Sequence, residues 1–173
     1  MIKKIFTKKE KGTSLIELIV YFALLSTVLV IAVDIMFRTS EFSLESSAKG
    51  GLQEDARFII SRLSYDIHRA ENVTTPANIG NTSSTLILTN GSDTYTYNLV
   101  GSTLELQSET GPLPIIQNAN INSNNTKVNS ISFQRLGNSA GKHTFKITFD
   151  LEGTTVQKGG PEQKTFETVV GLR

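Results

Sequence analysis

The sequence predicts an α+β protein, with one long N-terminal helix followed by an antiparallel β-sheet. Three observations carry this. Residues 18–33 (LIVYFALLSTVLVIAV) form an uncharged apolar run, and no proline occurs before Pro76. Leu52, Ala56, Ile59, Leu63, Ile67 and Ala70 then recur at spacings of three and four, a single helical stripe. After Asn72 the pattern changes to short β-rich runs separated by Gly, Asn and Ser. A helical stretch followed by a succession of strands is an α+β order. The 173 residues suffice for one globular domain plus an appendage.

The charges are segregated. The chain has 17 basic and 16 acidic residues. Five lysines (Lys3, Lys4, Lys8, Lys9, Lys11) and one glutamate fall in 1–12, a balance of +4. That leaves 12 basic and 15 acidic residues in 13–173, a balance of −3. A mildly acidic body lacks the footprint of a nucleic-acid binder, so no specific nucleic-acid site is expected. The chain has no cysteine. This excludes a disulfide framework, thiol catalysis and Cys-ligated metal.

The apolar run reads as a membrane span. Thr13 to Val33 would extend about 31 Å as a helix at roughly 1.5 Å per residue. The hydrocarbon core of a bilayer is about 30 Å thick. Asp34 then falls at the far interface, and Arg38, four residues on, shares its helix face and is expected to pair with it. Lysines before the span place the N-terminus inside and the rest outside, a single-pass topology. A secretory signal peptide would have a shorter apolar core and a small-residue cleavage site after it, and neither is present. An unprocessed signal anchor is the stronger rival.

Lys11-Gly12-Thr13-Ser14-Leu15-Ile16-Glu17-Leu18 resembles the prepilin cleavage motif of type IV pilins and type II secretion pseudopilins. The resemblance covers residues 8–37 and implies a pilin-like fold. In that family a prepilin peptidase cuts after the leader glycine and methylates the new amine. It therefore implies that 1–12 is a basic leader, that Gly12 is its last residue, and that Thr13 is the mature N-terminus and the site of N-methylation. The family usually has Phe where this chain has Thr13. Glu17 becomes the fifth mature residue, where the family carries its glutamate. The resemblance further implies partners: the prepilin peptidase, other pilin or pseudopilin subunits, an inner-membrane assembly platform, and the bilayer before assembly. Localisation follows as the bacterial cytoplasmic membrane, then an extracytoplasmic filament.

Glu17 has two readings. A carboxylate in an apolar helix costs on the order of 2.5–3.5 kcal/mol at the centre of a membrane and less near its edge. One turn into the helix it reaches the headgroups and favours the positive end of the helix dipole. The resemblance implies a second role, an assembly ion pair with the Thr13 amine of a neighbouring subunit. An unmatched pair of charges in an apolar bundle would penalise any slip in register.

The outer half of the helix, 38–72, is expected to lay its stripe on the sheet. Gly50-Gly51 is expected to kink or interrupt it, at roughly 1 kcal/mol per glycine relative to Ala. Residues 51–70 are similar to the corresponding helix of J-type minor pseudopilins and W-type minor pilins, in Arg62, Leu63, Asp66, Ile67, Arg69 and Ala70, with His68 where Arg is usual. This tilts the reading to a minor subunit.

The β domain is expected over 73–173. Residues 85–89 (TLILT), 94–100 (TYTYNLV) and 103–107 (TLELQ) predict a meander turning at Asn90-Gly91 and Gly101-Ser102. Further strands are expected at 128–136, 143–151 and 165–170, with Phe145, Ile147 and Phe149 on one face. Residues 72–84 and 117–127 read as long polar loops, the second exposed through Asn118, Asn120, Asn122, Asn124 and Asn125. No catalytic motif stands out, so no enzyme, cofactor or metal centre is expected. His68 and His143 lack local partners of metal-ligand spacing, and Asp150 with Glu152 is a weak calcium signal. The functions left in competition are a filament subunit, a signal-anchored extracytoplasmic binding or adhesion module, and, least favoured, an anchored enzyme.

Overall fold

The computed structural model describes residues 14–111, 115–137, 141–155 and 159–173. One helix, α1 (Leu15–Arg69), precedes nine strands. These are β1 (Asn72–Thr75), β2 (Thr82–Ser83), β3 (Leu86–Asn90), β4 (Asp93–Val100), β5 (Thr103–Thr110), β6 (Ile115–Asn120), β7 (Thr126–Leu136), β8 (Thr144–Gly153) and β9 (Gln163–Gly171). The layout is α+β. The chain divides into two units, Met1–Phe42 and Ser43–Arg173.

Within Ser43–Arg173 the strands form two antiparallel sheets where a single sheet was expected. One has the order β1-β3-β4-β5-β6, the other β2-β7-β8-β9. The meander is present, with registers Leu86↔Tyr97 and Tyr97↔Leu106 aligning three buried side chains across it. In the second sheet Val128, Ile131, Phe133, Phe145, Ile147, Phe149 and Leu151 are buried on β7 and β8. The five stripe residues of α1 and Ala70, which follows it, join both sets in one apolar core. Branched and aromatic side chains at period two fit a pleated face with one side in the core.

Four expectations are corrected. Helix α1 runs unbroken through Gly50 and Gly51, because neither leaves the helical conformation and Arg, Gln, Glu and Ala around them sustain it. The first hairpin turns on Gly91-Ser92 rather than Asn90-Gly91, with Asn90 paired to Asp93. Gly91 has φ 61°, the left-handed conformation such a turn needs at its first central residue. The span 72–84 holds β1 and β2, with a cis Thr75–Pro76 bond between them. Finally, β6 occupies the start of the span read as the loop 117–127, and Asn122 in its remainder is buried. The Asn122 Oδ1 accepts from the Leu104 N–H at 2.8 Å, and its Nδ2 donates to the Thr126 and Ser123 carbonyls at 2.8 and 3.3 Å. A buried amide with its groups so satisfied carries little penalty.

Candidate functional site: the apolar helical segment and the anchoring of the body

Gly12 and Thr13 lie outside the described residues, so the expected leader cut, methylation site and amine partner of Glu17 do too. The first described residue is Ser14, whose carbonyl accepts from the Leu18 N–H at 3.1 Å. Ser14 and Glu17 stand at the two ends of an S-x-x-E spacing, the pattern of a capping box at a helix start. That spacing is legible in the sequence. The Glu17 Oε1 also accepts from the Tyr21 hydroxyl, one turn on, at a long 3.4 Å.

Every large apolar side chain from Leu15 to Phe37 is solvent-exposed, from 43 to 78%. None of the most apolar stretch is buried, and α1 is long and apolar enough to cross a membrane. An uncovered apolar surface this extensive is far beyond the scattered exposure normal for a soluble surface. Its hydroxyls are satisfied internally. Ser26 and Thr27 donate to the Ala23 carbonyl at 3.0 and 2.9 Å, and Thr39 donates to the Ile35 carbonyl at 2.8 Å. Hydrocarbon offers no alternative partner, so such back-bonding suits a span. At the end of the run the Arg38 Nε donates to the Asp34 Oδ2 at 2.9 Å. Both side chains are exposed, so the pair contributes little in water.

In the body, two acidic side chains tie the helix to the sheets. Asp66, 6% exposed, accepts from the Arg62 Nε at 2.9 Å and from the Tyr97 hydroxyl of β4. Burial and the Asp66 carboxylate both push the Tyr97 phenol far above its ordinary pKa, so it stays protonated and donates. Asp55 accepts from the Ser123 N–H at 3.1 Å, the Ser123 hydroxyl at 2.7 Å and the Thr126 hydroxyl. Neither acid was singled out from sequence for these roles. For Asp66 the signal was there, because it falls on the stripe's own spacing, three after Leu63 and four before Ala70.

Arg135 of β7 donates from Nη1 to the Val73, Pro76 and Ala77 carbonyls at 3.2, 3.1 and 2.7 Å. It closes the backbone after β1. Asp150 lies on β8. It accepts from the Ser130 hydroxyl at 2.8 Å and from the Thr165 hydroxyl, across both neighbouring strands. These bonds, that from Thr165 foremost, hold its carboxyl below the usual carboxylate range. Glu152 instead accepts from Asn129 at 2.7 Å. Among the described residues no group of three or more His, Cys, Asp or Glu side chains is placed to hold a metal. His68 is exposed on the last turn of α1, and His143 sits just before β8.

Comparison with protein-family models, curated proteins and solved structures finds no match to this chain.

Proposed function

We propose that this chain is a structural, minor subunit of a type IV pilus or type II secretion pseudopilus-like filament. On this reading the prepilin peptidase cuts after Gly12. The apolar helix holds the subunit in the cytoplasmic membrane and then packs it against other subunits, with the body outside. The observation that supports it most is the exposed apolar surface of Leu15 to Phe37, which carries, apart from Asp34 at its outer end, an acid, Glu17, in its first turn. A plain anchor has no use for a carboxylate there beyond capping. An assembling helix does, because the Thr13 amine of a neighbour supplies its partner. The Asp34–Arg38 pair then marks the outer interface.

Two measurements test this. Intact mass of the membrane-extracted protein should show Thr13 first when a prepilin peptidase is present, whereas a retained Met1 would favour the unprocessed anchor. Glu17→Ala should still insert and be cleaved but should vanish from the sheared filament fraction. Normal recovery of that variant in filaments would overturn the ion-pair role.

A further inference from the structure

The two sheets have four edges, and three are blunted. β1 is four residues long, precedes Pro76 and has Arg135 donating to the carbonyls of Val73 and Pro76. β2 is two residues long. β9 carries Lys164 and Glu167. Short edges, proline and charge are the devices that keep sheet edges from pairing with other chains. Within its own six residues β6 has no proline and no charge, and Pro114 precedes it in the chain. Its sequence, IIQNAN, is uncharged, and all six residues are exposed, Ile115 at 64% and Ile116 at 56%. Among the described residues no strand pairs with its outer side.

The ladder shows which groups point outward. The Ile121 N–H donates to the Leu104 carbonyl at 2.8 Å, and the register continues Asn120↔Glu105 to Ile115↔Thr110. Bonded and non-bonded pairs alternate in an antiparallel ladder. Ala119, Gln117 and Ile115 therefore bond to β5. Asn120, Asn118 and Ile116 turn their N–H and C=O groups away from it. The three outward residues are symmetric about Asn118.

We infer that β6 is a self-pairing edge, whose occupant is β6 of a second copy of this chain, antiparallel and two-fold symmetric about Asn118. Asn118 then faces its own equivalent, and Ile116 of each copy faces Asn120 of the other. The exposed groups are matched donor to acceptor, and no charge on the strand meets its like. The same operation on β9 would centre on Glu167 and oppose two acids, which is unfavourable. Glu105 and Glu109 of β5 do not oppose the pairing. The two β5 strands would lie about three strand spacings apart, roughly 14 Å, beyond the ~8 Å screening length at physiological salt.

Six residues of strand are small beside the ~1,200–2,000 Å² of a stable interface, so the contact needs copies already concentrated. Anchoring in any membrane supplies that, so the inference stands apart from the filament reading. A two-fold contact also closes on itself and does not propagate a fibre. In a filament it would join chains of neighbouring fibres side by side.

The absence of native cysteine makes the test direct. A bonded antiparallel pair sets its Cα atoms about 5.5 Å apart, within disulfide range. Full-length Asn118→Cys, oxidised in membranes, should give a disulfide-linked homodimer several-fold above Asn98→Cys, an exposed control on β4. Ile116→Cys and Asn120→Cys should cross-link to each other and not to themselves. Adding Asn120→Pro to Asn118→Cys removes an outward N–H that the sheet does not use. It should reduce dimer to the control level with unchanged circular dichroism. Dimer at the control level for Asn118→Cys, equal self-linking of Ile116→Cys, or an adduct with a different protein in place of the homodimer would each overturn the inference.

Discussion

The Asp66 carboxylate accepts from Arg62 on its own helix and from Tyr97 on β4, in a place almost closed to water. Tyr97→Phe keeps the ring in the core but leaves the carboxylate short of a donor. An unsatisfied buried acceptor costs about 1–3 kcal/mol. The melting temperature of the full chain in detergent should fall by roughly 2–4 °C per kcal/mol, read by the near-ultraviolet dichroism of the tyrosines. Asp150 gives a pH-dependent counterpart at the surface. Its folded pKa is depressed by the Thr165 and Ser130 hydroxyls. The stability it contributes is therefore present above the unfolded carboxylate pKa, about 3.9, and is lost as pH falls through the lower folded value. Asp150→Asn should be less stable than the parent at pH 7, and the difference should shrink on acidification below pH 4. A difference that stays constant down to pH 2 would remove the charge from the account.

At the scale of elements, legibility in the sequence followed burial. β3, β5, β7 and β8 alternate buried residues with more exposed ones, and their period of two is visible in residues such as Phe145, Ile147 and Phe149. β6 buries neither face, so its sequence has no pattern to show, and its asparagines read as loop. β1 and β2 are too short to display a period. In the helix the stripe was legible, but the glycines misled, because a propensity cost of about 1 kcal/mol per glycine does not break a helix whose next turns, from Leu52 on, are held in the core. Gly50 and Gly51 are now a stated weakness. A Cβ at either position meets nothing within 4 Å, and neither has a positive φ. Gly51→Ala should therefore stabilise the body by about 0.5–1 kcal/mol through reduced freedom of the unfolded chain. Urea unfolding of the full chain in detergent should show a raised midpoint with an unchanged slope. A lowered midpoint would mean that the helix needs glycine there for a reason other than the space around it.

For the whole molecule, every residue of the apolar core lies between Leu52 and Val170, inside the unit Ser43–Arg173. The exposed apolar run lies inside the unit Met1–Phe42. Cohesion of the body and affinity for hydrocarbon thus reside in separate stretches of sequence. Burial of apolar surface is worth roughly 25 cal/mol per Å² wherever the covering comes from. The body gains it from its own two sheets. The N-terminal run gains it only from lipid, detergent or another protein. A chain beginning at Ser43 should consequently stay in the aqueous phase on detergent phase partitioning and melt as a single cooperative unit. The full chain should enter the detergent phase. If the shortened chain also partitioned into detergent, the exposed residues Phe58, Tyr65, Ile115, Ile116 and Val169 of the body would form a second lipophilic surface. The two-fold edge contact would then have to compete with it for the same isoleucines.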